Sequence, residues 1–323
     1  MAEMHKQHWG LPVMKSKQKR TLPLEVLAVL ALFAEYHDSR SQTAQIEAIQ
    51  ETIPKAIFDQ MLASHKLVGS PGLTWKQHVI TVAFTGGNES VYSLIESTAN
   101  EWISKESELK LSFRDEKGKY RLWTIGDAFP AADIRISFVS DGDEKGYWSV
   151  VGVLAQNVRA DAPTMNLDSF PQKLTRFVNN NDQSAWISSY EHSVILHEFG
   201  HALGLSHEHF HPDCQKDLNF TAIQNFLMNG DNHWTYQQFQ YNMKADYYFQ
   251  ALGYQASPLD SHVLTSPHID QASVMLYSFS NEYYKSGAKS LCKPSSVFGY
   301  ATKLSDGDRN FFATHYNHIL SPF

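Results

Sequence analysis

The run Val79–Phe84 is rich in β-formers and stops at Gly86-Gly87, which predicts a strand closed by a turn. Val91, Leu94, Ile95, Ala99, Trp102 and Ile103 then recur at helical spacing and define one apolar face. Leu109–Phe113 and Ile134–Phe138 read as strands, the second with apolar and polar residues alternating. Trp148–Leu154 reads as another strand. A helix follows, with Ser188 and Glu191 at capping-box spacing and Val194, Ile195, Ala202 and Leu203 as its buried stripe. This order predicts an α+β fold with a twisted mixed sheet and two long helices behind it. Beyond residue 207 the pattern loosens into loops. An Asn-, Gln- and Tyr-rich stretch at 228–256 holds a helical run near Tyr236–Leu252, and a last helix closes the chain.

Residues 1–72 read differently. They carry helical patterns at Leu24–Tyr36 and Thr43–Ala63, the latter interrupted by Pro54, and no strand. Gly69-Ser70-Pro71-Gly72 reads as a linker, dividing the chain into 1–72 and 73–323.

Composition narrows the class. The 323 residues are 42% hydrophobic, enough for one large domain and an extension. The net charge of −7 and the lack of a large basic run argue against a nucleic-acid partner. No stretch is long and apolar enough to span a membrane, so stable membrane insertion is not expected. Leu22–Ala34 follows the basic Lys15–Arg20 cluster and reads either as a signal-peptide core or as a buried helix. Pro23 and Glu25 interrupt it. On balance secretion is expected rather than a cytoplasmic location. Cys214 and Cys292 are the only cysteines, and they read equally as one disulfide or as two buried thiols. Nothing in the sequence sets an oligomeric state.

The chemistry concentrates at His197-Glu-Phe-Gly-His-Ala-Leu-Gly-Leu-Ser-His207. His197 and His201 are one turn apart on a helix and share a face. Glu198 sits beside the first ligand, where it can act as general base toward a water without binding the metal. Gly204 is where the helix should end, since glycine readily takes the left-handed conformation of a helix stop. The chain then returns His207 as third ligand, leaving a coordination position open as a catalytic zinc site requires. One Zn2+ is therefore the expected cofactor. His209 and His211 follow the third ligand and read as surface or supporting histidines.

This extended motif resembles that of the metzincin metallopeptidases. Their second mark, a methionine turn beneath the metal, is matched by Ser273-Val274-Met275-Leu276-Tyr277. Glu208, directly after the third histidine, and Tyr277, two residues after Met275, are similar to the astacin branch. The resemblance extends upstream to Gly146–Gly152, which looks like the segment leading into the astacin edge strand. It extends downstream from Leu304 and Ser305 through Asp308 to Tyr316, which resembles the closing helix. It therefore covers about Trp75 to Tyr316. Leu205 departs from the aromatic residue usual after the motif glycine, and two cysteines fall short of the two disulfides of animal astacins. Both departures suit a microbial or divergent member.

The resemblance implies a two-lobed metzincin-like zinc peptidase with the cleft between lobes and a loop-rich C-terminal lobe ending in a helix. It implies Tyr277 as a hydroxyl that stabilises the developing oxyanion, Met275 as the apolar floor of the site, and Glu208 as a supporting residue. In mature astacins the equivalent of Glu208 meets the new N-terminal amine, which here implies processing near residues 66–75. It implies that a protein or peptide substrate pairs antiparallel with the edge strand at Trp148, Ser149, Val150 and Val151, extending to Val153. The loop with Ser278, Phe279, Tyr283 and Tyr284 is expected to shape the primed-side pocket. Residues 1–72 fall where a pro-segment would sit; an accessory helical segment without inhibitory role is the other reading. The function implied is a zinc endopeptidase. The rivals are an intracellular toxin or effector peptidase with a narrow target, and a zinc-stabilised binding module without turnover.

Overall fold

The computed structural model describes residues 53–63, 73–180, 182–229, 234–251 and 268–317. The Lys15–Arg20 and Leu22–Ala34 segments, the Leu24–Tyr36 pattern, the first part of Thr43–Ala63, the 69–72 linker and Leu252 lie outside them. Helix α1 (Lys55–Ala63) begins directly after Pro54, where the missing proline N–H is harmless. Its Ile57 is buried in the main core, and Gln60 Oε1 accepts the Arg159 backbone N–H at 2.9 Å.

Five strands form one sheet: β1 (Val79–Phe84), β2 (Lys110–Ser112), β3 (Ile134–Ser137), β4 (Tyr147–Ser149) and β5 (Met165–Leu167). Their order is β2-β1-β3-β5-β4. The pairs are parallel except β4 with β5, so the mixed sheet ends in one antiparallel strand. Helices α2 (Glu89–Ala99) and α3 (Tyr190–Ala202) pack with it through Val91, Ile95, Ala99, Ile195 and Phe199, all buried in the main core.

The alternation in β3 is misleading. Arg135 and Ser137 occupy the polar positions, yet they are only 1% and 2% exposed. Burial of an arginine is tolerable only if its donors are satisfied. Here the guanidinium donates to the carbonyls of Ala132, Val158, Arg159 and Ala162. It thus ties together loops that no sheet bond reaches, and burial draws its pKa down to about 10. The strand expected at Trp148–Leu154 is also shorter. β4 stops at Ser149, and Gly152–Asn157 is a 3-10 helix.

The cap of α3 lies one residue further on than expected. Ser189 Oγ accepts the His192 N–H, whereas Ser188 ends the preceding helix and its hydroxyl donates to the Ser184 carbonyl. Glu191 instead accepts from Arg176 Nη2 with both carboxylate oxygens. The helical run near Tyr236–Leu252 divides into two. Following α4 (Phe220–Asn229), helices α5 (Tyr236–Met243) and α6 (Ala245–Ala251) break at Lys244, whose backbone is extended.

The closing helix α7 (Asp306–Tyr316) has a full capping box from Ser305 and Asp308. A second core gathers Leu218, Ile223, Leu227, Trp234, Phe239, Met243, Phe279 and Tyr284 around Cys214 and Cys292. These cysteines form a disulfide across 78 residues of sequence, with Cα atoms 5.4 Å apart. No helix among the described residues is long and apolar enough to cross a membrane.

Candidate active site

Helix α3 carries the first two histidines, and its packing fixes their height and rotation. Trp102 Nε1 donates to the Leu196 carbonyl, and Trp75 Nε1 donates to that of Ala202. The helix then ends in a Schellman motif. Gly204 has φ +102°, its N–H reaches the His201 carbonyl, and the Leu205 N–H reaches that of Gly200. Any other L-residue at 204 would be strained. The same turn points the Leu205 carbonyl back to accept a hydrogen bond from His201 Nδ1 at 2.8 Å.

That bond and its counterpart set the chemistry. His197 Nδ1 lies 2.6 Å from the Val274 carbonyl. A carbonyl only accepts, so both Nδ1 atoms carry hydrogen and both rings offer Nε2 as a lone-pair donor. His207 completes the group, with its Nε2 3.0 Å from that of His201. One ligand atom from each of the three histidines lies within 4.8 Å of the others. Two nitrogens bound tetrahedrally to zinc at 2.0–2.1 Å stand about 3.3 Å apart, so closing the three onto one ion needs shifts of up to about 1.5 Å. Neutral imidazoles, preset by carbonyl acceptors, are the donor set that suits zinc.

The methionine turn supports these rings from below. Its Val274 carbonyl holds His197, and its Met275 carbonyl accepts the Glu208 N–H at 2.9 Å, next to His207. Met275 is 1% exposed, and its Sδ lies against Gly200, where an added Cβ would overlap it. The turn itself hangs from Asp308 on α7. One carboxylate oxygen accepts the Ser273 hydroxyl; the other accepts the N–H groups of Val274 and of Ser305. Asp308 thus serves both as the reciprocal cap of α7 and as the anchor of the turn, a double role visible only in three dimensions.

Glu198 is buried beside His197. The Tyr277 ring lies 4.2 Å from that of His207 and 6.0 Å from that of His197. Glu208 directly follows His207 in the chain, and its carboxylate accepts the Asp270 N–H at 2.8 Å. Burial pushes its pKa up to about 7.

Of the two readings of His209 and His211, the supporting one fits, since both are buried rather than on the surface. His209 donates to the Asn242 carbonyl and stacks on both His207 and Tyr277. His211 Nδ1 caps the short helix Pro212–Asp217. Phe279 and Tyr284 are buried in the second core, so they shape any primed-side pocket only from behind.

A small pocket that the sequence did not announce borders His201 and His207. It is lined by Ser149 and Val151 of the edge segment, by Phe210, Tyr241, Asn242 and Tyr248, and by Ile53. Residues 210 and 241–248 carry no recognisable motif, and only the fold brings them to the metal ligands. The edge segment is covered: Tyr147, Trp148, Ser149, Val150 and Val151 are each under 5% exposed.

Fold and triad together define a metallopeptidase, a hydrolase of peptide bonds. Among solved structures, one of myroilysin matches over 77% of this chain and 97% of its own, at 26% identity and a TM-score of 0.53. A crystal structure of myroilysin matches at 24% identity and a TM-score of 0.46, over 77% and 86% of the two chains. High choriolytic enzyme 1, a hatching enzyme zinc-protease from Oryzias latipes (medaka fish), matches at 17% and 0.40, over 77% and 96%. No protein-family model matches the chain, and no curated protein does. By fold and by motif, the chain resembles the astacin-like metzincin metallopeptidases.

Proposed function

We propose that the chain is a zinc endopeptidase in which His197, His201 and His207 hold one ion and Glu198 is the general base. The observation that carries this reading is the convergence of the three imidazoles, two of them oriented through Nδ1 by backbone carbonyls. Zinc, when bound there, supplies Lewis acidity toward the scissile carbonyl and toward water. Glu198 takes the proton of the attacking water and returns it to the leaving amine. The Tyr277 hydroxyl donates to the oxygen on which negative charge develops. The peptide lies antiparallel along Trp148, Ser149, Val150 and Val151, the segment that ends the sheet. Chelation should abolish cleavage of a casein-type substrate, and stoichiometric zinc should restore it. Activity that survives complete metal removal would overturn the assignment.

Residues 1–72 act as a pro-segment in this reading. Support comes from Ile53, which lines the same pocket as His201, His207 and Ser149, and from α1, whose Ile57 is buried in the main core. A side chain in that position competes with substrate for the strand edge. Limited proteolysis ahead of residue 73 should therefore raise activity at least about tenfold; equal activity before and after would exclude latency.

The disulfide supports an oxidising compartment, and so secretion over an intracellular effector role. A module without turnover is disfavoured because it would need neither Glu198 nor Tyr277.

A further inference from the structure

An aromatic row runs from β4 to the loop at 296–300. Tyr147, at the start of β4, lies 6.2 Å from Tyr190, the first residue of α3. Tyr190 lies 5.3 Å from Tyr300, and Tyr300 stacks on Phe298 at 6.0 Å. The loop bearing these last two passes over Ser278, next to Tyr277. The row is buried at Tyr147, half-buried at Tyr190 and Tyr300, and open at its far end. Phe298 is 43% exposed and Val297 is 94% exposed. Lys173 hydrogen-bonds the Tyr147 hydroxyl, lies 4.7 Å from its ring centroid and is paired with Asp168 at 3.8 Å, so its charge sits at the buried Tyr147 end of the row and the exposed end at Val297 and Phe298 is apolar.

Direction and distance follow from the strand and the helix. Tyr147 lies beside the start of α3, while Ser149 shares a pocket with His201 and His207 at its end. β4 therefore runs in the same sense as α3. A peptide antiparallel to β4 travels the other way, and its C-terminal half reaches Tyr190. Tyr190 and His197 are seven residues apart, two turns along the same helix face, or about 10 Å at 1.5 Å per residue. Extended peptide covers that distance in about three residues.

We propose that Tyr190, Val297, Phe298 and Tyr300 form a substrate subsite that receives an apolar, preferably aromatic, side chain about three residues to the C-terminal side of the scissile bond. This inference rests on the peptidase reading. It gives the loop at 296–300 a purpose, since large apolar side chains on a folded surface are otherwise a liability.

The test uses the full chain, loaded with zinc and assayed before and after limited proteolysis. Two peptides differ only in Phe or Gly at the third position after the bond cleaved. Wild type should prefer the Phe peptide about tenfold in kcat/KM, the scale for an apolar group in a shallow pocket. Phe298→Ser, at an exposed position, should bring that ratio close to one. Val297→Ser should lower the ratio partway. A flat preference in wild type, or a preference undiminished in both variants, overturns the subsite while the peptidase reading stands. If zinc-loaded wild type cleaves neither peptide, the peptidase reading fails and the subsite falls with it.

Discussion

Glu198→Ala should lower kcat/KM on any peptide by about a thousandfold, a typical contribution for a positioned general base. Its zinc content should stay at that of the wild type, because the carboxylate is not a ligand in this site. The three histidines are positioned by other means: Val274 and Leu205 carbonyls for two of them, and the backbone turn after Gly204 for the third. Those supports do not involve Glu198, so the loss should appear in turnover and not in metal affinity or folding. Zinc stoichiometry measured alongside steady-state kinetics separates the two. A variant that retained wild-type turnover would remove Glu198 from the base role, and one that arrived without zinc would make it a metal-site residue instead.

Asp308→Ala should have the largest effect on stability. The side chain is 3% exposed and accepts from the Ser273 hydroxyl and the Val274 and Ser305 N–H groups. Truncation strands these donors and removes the reciprocal cap of α7. A buried donor without its acceptor costs about 1–3 kcal/mol, so a total of about 3–5 kcal/mol is expected. For a domain of this size that corresponds to a drop in Tm of about 10 °C. Zinc affinity should also fall about tenfold, since the Val274 carbonyl that orients His197 belongs to the turn Asp308 holds. Thermal melts with and without zinc, and a competition titration with a chromophoric chelator, measure both quantities. Unchanged affinity in a folded variant would show that the turn positions His197 without Asp308.

What was legible in the sequence is what depends on spacing along the chain. Histidines one turn apart and a glycine that needs positive φ follow from local geometry. So does the run Val79–Phe84, which is β1 without change. Met275 and Tyr277, by contrast, stood out only through the resemblance to the metzincin methionine turn. What escaped depends on partners distant in sequence. Arg135 sits in an alternating strand and looks exposed, but four carbonyls from residues 132–162 receive its guanidinium inside the protein. Ser188 and Ser189 both precede α3, and only the end of the helix before it decides which one caps. Cys214 and Cys292 could be paired only once the second core was seen around them. Tyr241, Asn242 and Tyr248 lie in a polar, motif-free stretch, and their place beside the metal ligands follows from how that stretch folds back.

The Tyr316 hydroxyl donates to the Leu203 carbonyl at the end of the metal-binding helix and accepts the Trp75 N–H, 241 positions away. The last turn of α3 is therefore clasped by two segments from opposite ends of the domain. During synthesis the three histidines leave the ribosome more than a hundred residues before Tyr316 does. Asp308, which suspends the methionine turn, also emerges late. The nascent chain thus carries the histidine triad well before it can hold it in place, so a complete site forms only when the domain is complete. Such high contact order implies slow folding. It also delays the assembly of that site until the growing chain has finished its own core.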